Sequence, residues 1–568
     1  MSTKILTTRT TKKWLAYRRF INIRKEYSLW TQDKIVNSPH KNIDIPNITV
    51  PEHVWQNLDR WADKTALVCS LTNRSYTYHQ LYKYSRNFAA KLRLQLDIRD
   101  GDVVCIMMPN SPEYPMAALG ALQAGAEVTT VNPIYTAHEV TKQLILSNPK
   151  VMMGVAETIP IIKEALLLAK KDIPVFAVKG TDSSIPAGTV QFEEFALADN
   201  VDHSVLKEVE KKAEDIAFLP YSSGTTGLPK GVELLHRNIV VNCMQSDVDT
   251  ARHYDETTKT NQDSTLGILP FYHIYGLTVV MLHKLSVGIK VVTVPRFQPN
   301  TFVNVLKEHQ INILHAAPPL ILFLGAYADV TKEHLASIKT LTSGAAPLPD
   351  ADVQRLLEKL KPTSNFLQLY GLTETSPLAT MMERGSKKYS TTGNAISNTE
   401  LRIVDSEQRP LGPGEVGELL IRGPQVMKGY RHNPEATKNA ISEDGWLRTG
   451  DLASVDHEGM VTIADRLKEL IKVKGYQVPP AELEGVLKTH PDVLDAGVIG
   501  IPDARMGEAP KAFVVLKDGR KVDSKDITAF VAERVAEYKR IKEIMFLDVL
   551  PKNPSGKLLR RVLKEKYA

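Results

Sequence analysis

The sequence predicts an α/β protein with a large N-terminal domain of parallel-rich sheets, helices and a small β-barrel-like part, followed by a small α+β domain. Three observations indicate this organisation. Short apolar runs alternate with helix-like segments through most of the chain before Asn398. After Asn398 the strand-like runs alternate in polarity and are divided by Gly and Pro. Beyond Lys468 the order becomes helix, strand, strand and helix.

The first strand–helix–strand unit begins at Asp102. "DVVCIMMPN" is typical of a buried strand, "SPEYPMAALGALQAGA" predicts a helix after its prolines, and "EVTTVNP" predicts the next strand. The same order recurs in "NILHAAPP" before "LILFLGAYADV", and in "TLTSG" before "DADVQRLLEKLK". Units of this kind place parallel strands in a sheet with helices on both faces.

The later part of the chain predicts hairpins and then a compact unit. "TELRIVDSEQRPLGPGEVGELLIRGPQVMKGY" favours antiparallel hairpins because short strands alternate with Gly and Pro. "PPAELEGVLKTH" predicts a helix with Pro near its start. "DAGVIGIPD" and "PKAFVVLKDG" predict strands, and a helical pattern runs from Ser524 to about Tyr538. The expected divisions of the chain are 1–44, 45–464, 465–468 and 469–568.

Composition restricts the classes of function. The 568 residues suffice for more than one domain. The net charge of +6 is small for this length, and no patch interleaves basic and aromatic residues as nucleic-acid binding requires. Cys69, Cys105 and Cys243 are too far apart for a disulfide framework and fit a reducing compartment. No run reaches the roughly 18 apolar residues of a membrane span; the nearest, "LTVVMLHKLSVGIKVVTV", contains two lysines.

The N-terminus has its own composition. The first acidic residue is Glu26, and the preceding segment is rich in Ser, Thr and basic residues: Lys4, Arg9, Lys12, Lys13, Arg18, Arg19, Arg24 and Lys25. This composition favours a mitochondrial transit peptide. A solvated basic tail and a membrane-associated segment are the alternatives. The C-terminal "KEKYA" is not the peroxisomal type of signal. The expected location is mitochondrial, and otherwise cytoplasmic.

The stretch "YSSGTTGLPKGVE", residues 221–233, has the chemistry of a phosphate-binding loop. It does not fit the Walker A pattern, because Pro229 stands where the second Gly would be and Gly231 follows Lys230. Its glycines nevertheless let main-chain N–H groups approach an anion, while its hydroxyls and lysine add donors and positive charge. A flexible surface loop is the alternative, since clusters of Ser, Thr and Gly are common in loops.

Together with further segments, this stretch resembles the signature of the adenylate-forming superfamily. The matching segments, in the family's order, are "LPFYHIYG", "TSGAAPL", "LQLYGLTETSP", "GWLRTGDLA", "DRLKELIKVKG" and "NPSGKLLRR". The resemblance covers about residue 45 to the C-terminus and is strongest to the 4-coumarate–CoA ligase-like and luciferase-like branch. It implies an AMP-binding domain at 45–464, a hinge at 465–468 and a small mobile C-terminal domain at 469–568. It also implies ATP, Mg²⁺ and CoA as cofactors and a carboxylic acid as the small-molecule partner.

The resemblance implies a phosphate and metal site. The residues that match the phosphate loop are Ser222, Ser223, Gly224, Thr225, Thr226, Gly227 and Lys230. Thr373 would lie near the α-phosphate, and Glu374 would bind Mg²⁺, a hard cation that prefers oxygen ligands. The alternative for Thr373 and Glu374 is a helix-capping pair.

The resemblance also implies a nucleotide pocket. Gly344, Ala345, Ala346 and Pro347 would form one side of an adenine slot and Tyr370 the other, although tight strand–helix packing would explain the small residues equally. Gln368, Leu369 and Gly371 belong to the same matching segment and are assigned to this pocket. Asp451 would accept the ribose hydroxyls, a task suited to a bidentate carboxylate, and Arg466 would reach the ribose from the hinge. Surface ion pairs are the alternative for these two charges.

Catalytic roles follow from the same resemblance. His273 would lie beside the acyl-adenylate, where a buried core histidine is the alternative. Lys557 would stabilise charge that develops at the carboxylate and α-phosphate; the alternative is one more lysine of a basic tail. Lys468 would be the hinge residue. Lys472, Lys474 and Gly475 would then face the site during thioester formation, with Gly475 leaving room for a thiol-bearing chain.

The acyl pocket departs from the family pattern at one position. Leu369 replaces the glycine usual in "QGYG", and its added volume predicts a shorter or reshaped pocket. Tyr275, Val279, Ala346 and Ser376 are the other expected wall residues, which favours an acid with an apolar tail over an amino acid.

The leading interpretation is an ATP-dependent acid–CoA ligase. Asn242 replaces an arginine common in luciferases, which disfavours a luciferase-type monooxygenase. A non-catalytic nucleotide-binding protein is disfavoured because Lys557, Glu374 and Asp451 are all present.

Overall fold

The computed structural model describes residues 29–180, 184–222, 230–345, 348, 350–473, 476–503, 506–535, 537–552 and 556–567. For Ala351, Arg466, Lys468, Tyr476 and Gln477 it describes the main chain alone. Within these residues the chain forms two large mixed sheets, one antiparallel sheet and one small C-terminal sheet. The α/β fold class is therefore confirmed.

The first large sheet contains the strand–helix–strand unit that begins at Asp102. Its central strands are parallel, and an antiparallel hairpin lies at one edge. In spatial order its strands are Tyr221–Ser222, Lys230–Leu235, Ile216–Leu219, Glu127–Thr130, Val103–Met107, Val151–Val155, Val175–Val178 and Val190–Gln191, with Gly429–Tyr430 beside Lys230–Leu235.

The second large sheet contains the two later predicted units. Its central strands are again parallel and its two ends antiparallel. In spatial order its strands are Asn394–Ala395, Leu378–Met381, Asn365–Gly371, Thr340–Ser343, Ile313–Ala316, Ser264–Gly267, Lys290–Thr293, Thr65–Cys69 and Ser75–Thr77.

Helices cover the large sheets. Three of them begin with a capping box, in which Thr49, Thr77 or Thr136 and the residue three positions later bind each other's main chain. One hydrophobic core joins strands of both sheets with the helices Tyr78–Leu96 and Glu113–Gln123. The helices of the large domain are Val50–Trp55, Tyr78–Leu96, Glu113–Gln123, Ala137–Ser147, Ile159–Leu168, Phe192–Ala196, His236–Gln245, Tyr275–Leu282, His283–Ser286, Pro299–Glu308, Pro318–Ala326, Asp350–Leu357 and Pro434–Ala440.

The predicted hairpins after Asn398 form an antiparallel sheet. Its strands, in spatial order, are Val36–Asn37, Glu400–Val404, Gly417–Arg422, Leu447–Val455 and Val461–Arg466. The small C-terminal domain packs helices on a second antiparallel sheet, to which the strand Glu543–Phe546 adds in parallel. Its other strands are Tyr476–Val478, Ile471–Val473, Gly507–Leu516 and Val493–Asp503, and its helices are Pro480–Lys488, Ser524–Ala532 and Arg560–Tyr567.

One predicted helix is shorter than the sequence suggested. The helix that begins at Ser524 ends at Ala532, and a separate short 3-10 turn covers Glu537–Lys539. The Arg534 guanidinium donates to the carbonyl of Phe530 at 2.7 Å, so a side chain satisfies the last helical turn and the helix stops there. Helical periodicity alone did not show this side-chain cap.

Two polar contacts join the large sheets at the segment that leads to His273. The Asn110 amide, which follows the strand Val103–Met107, donates to the carbonyls of Gly267 and Leu269 at 2.8 Å and accepts from Phe271 N at 2.8 Å. The Thr130 hydroxyl, at the end of the neighbouring strand, donates to the carbonyl of Tyr272 at 2.8 Å. The first sheet therefore fixes the main chain that leaves the second sheet.

A buried π-helix follows this segment. It spans Tyr275–Leu282, continues directly into His283–Ser286, and is buried along its whole length. Wide turns of this kind are uncommon in proteins and often occur at functional sites. None of the helices in the described part of the chain has the length and apolar character of a membrane span. Cys69, Cys105 and Cys243 are buried free thiols.

Gly276 lets the π-helix start where it does. A Cβ on Gly276 would lie 2.1 Å from the Pro270 carbonyl oxygen, a main-chain atom that Asn110 helps to hold. We expect Gly276→Ala to lower the free energy of unfolding by about 1–3 kcal/mol through overpacking. Urea unfolding measures this change. Gly325→Ala is the control, because its Cβ would meet only ordinary contacts at 3.5 Å or more; equal loss in both variants would contradict the prediction.

Candidate active site

A cavity of about 1390 Å³ lies between the large domain and the small C-terminal domain. Its large-domain wall includes Ser222, Lys230, His273, Tyr275, Gly344, Ala345, Leu369, Tyr370, Gly371, Thr373 and Glu374. Its small-domain wall includes Lys557 and the first turns of the helix Arg560–Tyr567. The structure thus brings together most of the described residues that the sequence assigned to one site.

The phosphate end of the cavity is built on a hairpin. Ser222 pairs in register with Lys230, so the two strands bring the ends of the loop 223–229 together. Ser223, Gly224, Thr225, Thr226 and Gly227 lie outside the described residues. The Lys230 ammonium stands 4.9 Å from the centre of the Tyr430 ring and lines the cavity. The hairpin therefore presents a cation where a phosphate loop would need one.

Glu374 is positioned by a tyrosine that the sequence analysis missed. The Tyr430 hydroxyl donates to Glu374 Oε1 at 2.9 Å. Burial and the neighbouring Glu374 carboxylate raise the pKa of Tyr430, so the phenol stays protonated and remains a donor. Glu374 lies in the short 3-10 turn Thr373–Thr375, which follows the strand Asn365–Gly371. The turn presents Thr373 and Glu374 to the cavity together.

The donor set around Glu374 fits Mg²⁺ that is held mainly by nucleotide phosphates. Such sites use one or two carboxylates and leave the other positions to phosphate oxygens and water. The described residues contain no group of three or more His, Cys, Asp or Glu that could form a protein-only metal cage. Glu374 would therefore act as a single protein ligand.

At the end of the cavity assigned to the nucleotide, a hydrogen bond joins two sheets. The Tyr370 hydroxyl donates to Asp451 Oδ2 at 2.6 Å, which links the second large sheet to the antiparallel sheet. Asp451 is 4% exposed, and its neighbours Thr449 and Gly450 line the cavity. Asp451 also pairs in register with Arg466 across two strands. The two residues assigned to the ribose are therefore neighbours on adjacent strands.

Not every residue assigned to the nucleotide pocket faces the cavity. Gln368 is buried, does not line the cavity, and donates through its amide to the carbonyl of Tyr389. The Gln368 side chain therefore holds the segment around Tyr389 and does not form part of the cavity wall. Ala346 and Pro347 lie outside the described residues.

The acyl end is narrow. Gly344 lies between Tyr275 and Leu369: a Cβ at Gly344 would stand 3.3 Å from a Tyr275 ring carbon and 3.3 Å from the Leu369 carbonyl. Leu369 is 5% exposed and lines the cavity beside Tyr275. Val279 and Ser376 are buried and do not line it, which differs from the expectation for those two wall residues. Tyr275 and Leu369 therefore narrow this end of the cavity, where the sequence analysis expects the acyl group.

His273 is a neutral hydrogen-bonding group. Burial and then the nearby Lys557 charge lower the pKa of His273 to about 4. Its Nδ1 accepts from Tyr275 N at 3.3 Å, so the proton of the neutral ring is on Nε2. His273 and Lys557 both line the cavity, and the charge of Lys557 acts on the His273 ring from the small domain.

The sequence analysis expects the small domain to bring either Lys557 or the segment 472–475 to the site, and in this structure it brings Lys557. Lys557 lines the cavity, whereas Lys472 is exposed on the strand Ile471–Val473 and does not. Arg560, at the start of the last helix, forms ion pairs with Glu469 and with Glu484, the latter at 2.7 Å, and so fixes the segment that follows Lys557. Lys474 and Gly475 lie outside the described residues, and for Lys468 the described main chain lies in the 3-10 turn Leu467–Glu469. This arrangement places Lys557, not Lys472, at the site.

The low pKa of His273 leads to a test. We expect the Cε1–H resonance of His273 to keep its neutral position down to pH 5.5, because its pKa is about 4. In Lys557→Met the midpoint should rise, since removing a nearby positive charge favours the imidazolium. NMR of histidine-labelled protein measures both, with assignment by loss of the peak in His273→Asn. A wild-type midpoint near 6.5 would contradict the prediction.

Comparison with known proteins agrees with the geometry. The family model for AMP-binding enzymes matches residues 54–431, and that for the AMP-binding enzyme C-terminal domain matches residues 482–557. 4-Coumarate–CoA ligase 3 of Oryza sativa subsp. japonica is 39% identical over 542 residues, which is 94% of this chain and 95% of the relative.

Two solved structures are similar over nearly their full length. ATP-bound MatB from Rhodopseudomonas palustris has a TM-score of 0.82 and 26% identity, covering 92% of this chain and 99% of that one. The anthranilate CoA ligase AuaEII in complex with anthranoyl-AMP has a TM-score of 0.81 and 25% identity, covering 92% and 98%. The first was solved with ATP and the second with an acyl-adenylate.

The expected mitochondrial location is wrong. The relatives are plant 4-coumarate–CoA ligases, a cytosolic and peroxisomal group rather than a mitochondrial one. The basic, acid-free composition that suggested a transit peptide also fits a solvated basic tail, so composition could not decide between them. Residues 1–28 lie outside the described part of the chain.

The match between motifs, cavity and relatives settles the family and the type of reaction. The chain belongs to the AMP-binding enzyme family, and within it to the ATP-dependent acid–CoA ligases.

Proposed function

We propose that this ligase activates an acid with a short apolar tail, such as a short- or medium-chain fatty acid. The observation that supports this is the narrow acyl end, where Tyr275 and Leu369 both lie close to Gly344. Pro270, Ile274, Gly344 and Leu369 line the cavity beside Tyr275 and carry no carboxylate. An amino group on the substrate would therefore lack a counter-ion there.

In the proposed first half-reaction a substrate carboxylate oxygen attacks the α-phosphorus of ATP and pyrophosphate leaves. Catalysis of this step depends on alignment and neutralisation of charge. Lys230 and the loop 223–229 would hold the β- and γ-phosphates, and Thr373 the α-phosphate. Lys557 would stabilise the charge that develops between carboxylate and phosphorus. Mg²⁺, held by Glu374, would supply further charge neutralisation.

In the proposed second half-reaction the CoA thiolate attacks the acyl carbon of the adenylate, and AMP leaves. The small domain would turn about Lys468, so that Lys472, Lys474 and Gly475 replace Lys557 at the site. His273 would hydrogen-bond the adenylate without adding charge, because it is neutral at physiological pH. Asp451, Arg466 and Tyr370 would hold the AMP part in both steps.

Pyrophosphate release tests the proposed reaction and its substrate. The assay supplies ATP and a panel of acids: acetate to dodecanoate, branched acids, coumarate and amino acids, each with and without CoA. We expect release to be highest with short or medium apolar acids, to rise strongly with CoA, and to stop with EDTA and resume with Mg²⁺. Release that is highest with amino acids or with dodecanoate would contradict the substrate assignment.

Leu369→Gly tests the short acyl end directly. Removing the side chain relieves a steric cost of roughly 1–3 kcal/mol for a longer tail, so we expect kcat/KM for dodecanoate to rise about tenfold or more relative to that for butyrate. Leu341→Ala is the control, because Leu341 is equally buried but belongs to a separate hydrophobic core cluster away from the cavity. Unchanged selectivity in Leu369→Gly would show that another residue closes the pocket.

A further inference from the structure

A lysine lies completely buried in the helix that lines the acyl end. Lys284 follows the π-helix Tyr275–Leu282 by two positions and is 0% exposed. Lysines are almost never fully buried unless they are paired, since an unpaired buried charge is costly. Its retention in an otherwise apolar helix therefore requires a set of partners.

Those partners are arranged to accept hydrogen bonds. Lys284 Nζ lies 2.9 Å from His253 Nε2 and 3.1 Å from His283 Nδ1, and stands over the Tyr254 ring at 5.4 Å from its centre. His253 Nδ1 lies 3.4 Å from the carbonyl of Ala251, so its Nε2 is free to accept from the lysine. Two ring nitrogens thus accept hydrogen bonds from the ammonium ion, and the face of the Tyr254 ring stabilises its charge.

The cluster is surrounded by neutral rings and one main counter-charge. Burial lowers the pKa of His253, His283 and His315, so all three are neutral near pH 7. The Asp247 carboxylate lies 3.9 Å from His283 Nε2 and accepts from the Tyr254 hydroxyl. The other ionisable groups that act on Lys284 or its partners are Cys243, Asp263 and Arg252.

A polar path leads from this cluster to the acyl end. The His253 ring packs edge-on against His315, with centres 5.3 Å apart. His315 Nδ1 lies 2.7 Å from the Thr342 hydroxyl, which lies 3.0 Å from the Tyr275 hydroxyl. The two ends of the π-helix are thus held by connected groups: Tyr275 at the start and Lys284 just after the end.

This arrangement matters because the helix has few other polar anchors. Its side chains between Tyr275 and Leu282 are apolar except Thr278, and π-helices are rare in proteins and mostly limited to single turns. Directional hydrogen bonds fix the position and rotation of a helix in addition to its apolar packing. Any shift at Lys284 would move Tyr275 and widen or close the acyl end.

We infer that Lys284, as an ammonium ion, is a positioning residue that holds the π-helix in the geometry needed to bind the acid. It does not touch the acid, and the inference rests on the proposed role of Tyr275 in the acyl pocket. By holding the π-helix, Lys284 keeps Tyr275 in place and so affects the affinity for the acid.

The first test is the variant Lys284→Met. Met is of similar length but leaves the acceptor nitrogens of His253 and His283 without a donor, so urea unfolding first checks that the variant folds, and the pH series on the wild-type enzyme tests the inference if the variant does not fold. We expect KM for the preferred acid, measured by pyrophosphate exchange, to rise about fivefold to tenfold, with KM for ATP within twofold of wild type. Pyrophosphate exchange reports adenylation alone and needs no CoA.

Lys359→Met is the matched control. Lys359 Nζ donates to the carbonyls of Leu324 and Tyr327 at 3.1 and 2.8 Å, so it also anchors a helix, but not the one at the acyl end. Its KM for the acid should equal that of wild type. An equal KM for the acid in Lys284→Met and Lys359→Met would overturn the inference, while leaving the proposed function intact if wild type is active.

The wild-type enzyme gives a second test that needs no variant. Burial lowers the pKa of Lys284 to about 7, so the ammonium is lost as pH rises through 7, and KM for the acid should increase between pH 7 and 9. Global stability should not fall with it, because losing a buried charge whose folded pKa is depressed favours the folded state in this range. Lys284→Met should show no such rise, and a rise of equal size in the variant would overturn the inference.

The variant Thr342→Val tests whether the contacts between Lys284 and Tyr275 act together. It removes the hydroxyl between Tyr275 and His315 with little change of volume. We expect it to raise KM for the acid, and the double variant with Lys284→Met to show less than the sum of the two single effects in free energy. Full additivity would mean that the lysine and the tyrosine act independently, which would overturn the proposed connection.

Discussion

The three hydrogen bonds of the Asn110 amide are the constraint on which the acyl end of the site depends. Asn110 follows a strand of the first large sheet, yet all three bonds go to the main chain of residues 267–271, which leaves the second sheet. The amide is 4% exposed, so water does not compete for these bonds. His273, the π-helix and Tyr275 all follow directly from the main chain that it fixes. The two sheets are therefore joined by hydrogen bonds next to the candidate active site, in addition to the hydrophobic core that they share.

Much of this organisation was predictable because it is local in sequence. Apolar runs predicted the strands. The short motifs, which stand in the same order as in the family that the chain resembles, predicted that the phosphate loop, Glu374 and Lys557 belong to one site. What could not be predicted depends on contacts between distant segments. Asn110 and Tyr430 each act across the two large sheets, and Lys284 depends on His253, which lies 31 positions earlier in the chain. Gln368 shows the converse, since its motif matches but its amide binds the Tyr389 carbonyl and does not line the cavity.

The cavity combines two electrostatic environments. At the phosphate end, Lys230 and Glu374 are brought to opposite sides of Tyr430, which can contact a cation with its ring and a carboxylate with its hydroxyl. At the acyl end, His273 is neutral and the walls are apolar, so Lys557 is the main charge that enters from the small domain. The charge of Lys557 thus acts at the end of the cavity where His273 lies, whereas Lys230 and Glu374 lie beside Tyr430. That separation lets the acid tail and the triphosphate bind without competing for the same groups.

The three buried cysteines have a chemical consequence for an enzyme of this type. An acyl-adenylate is a reactive acylating agent, and thiolates are the nucleophiles that it acylates most readily. Burial raises the pKa of Cys105 and Cys243 to about 12, so neither is a thiolate at physiological pH, and neither is among the residues that line the large cavity. Cys69 is also buried away from it. The three cysteines are therefore protected from acylation, and an incoming CoA thiol meets no competing cysteine at the reactive carbonyl.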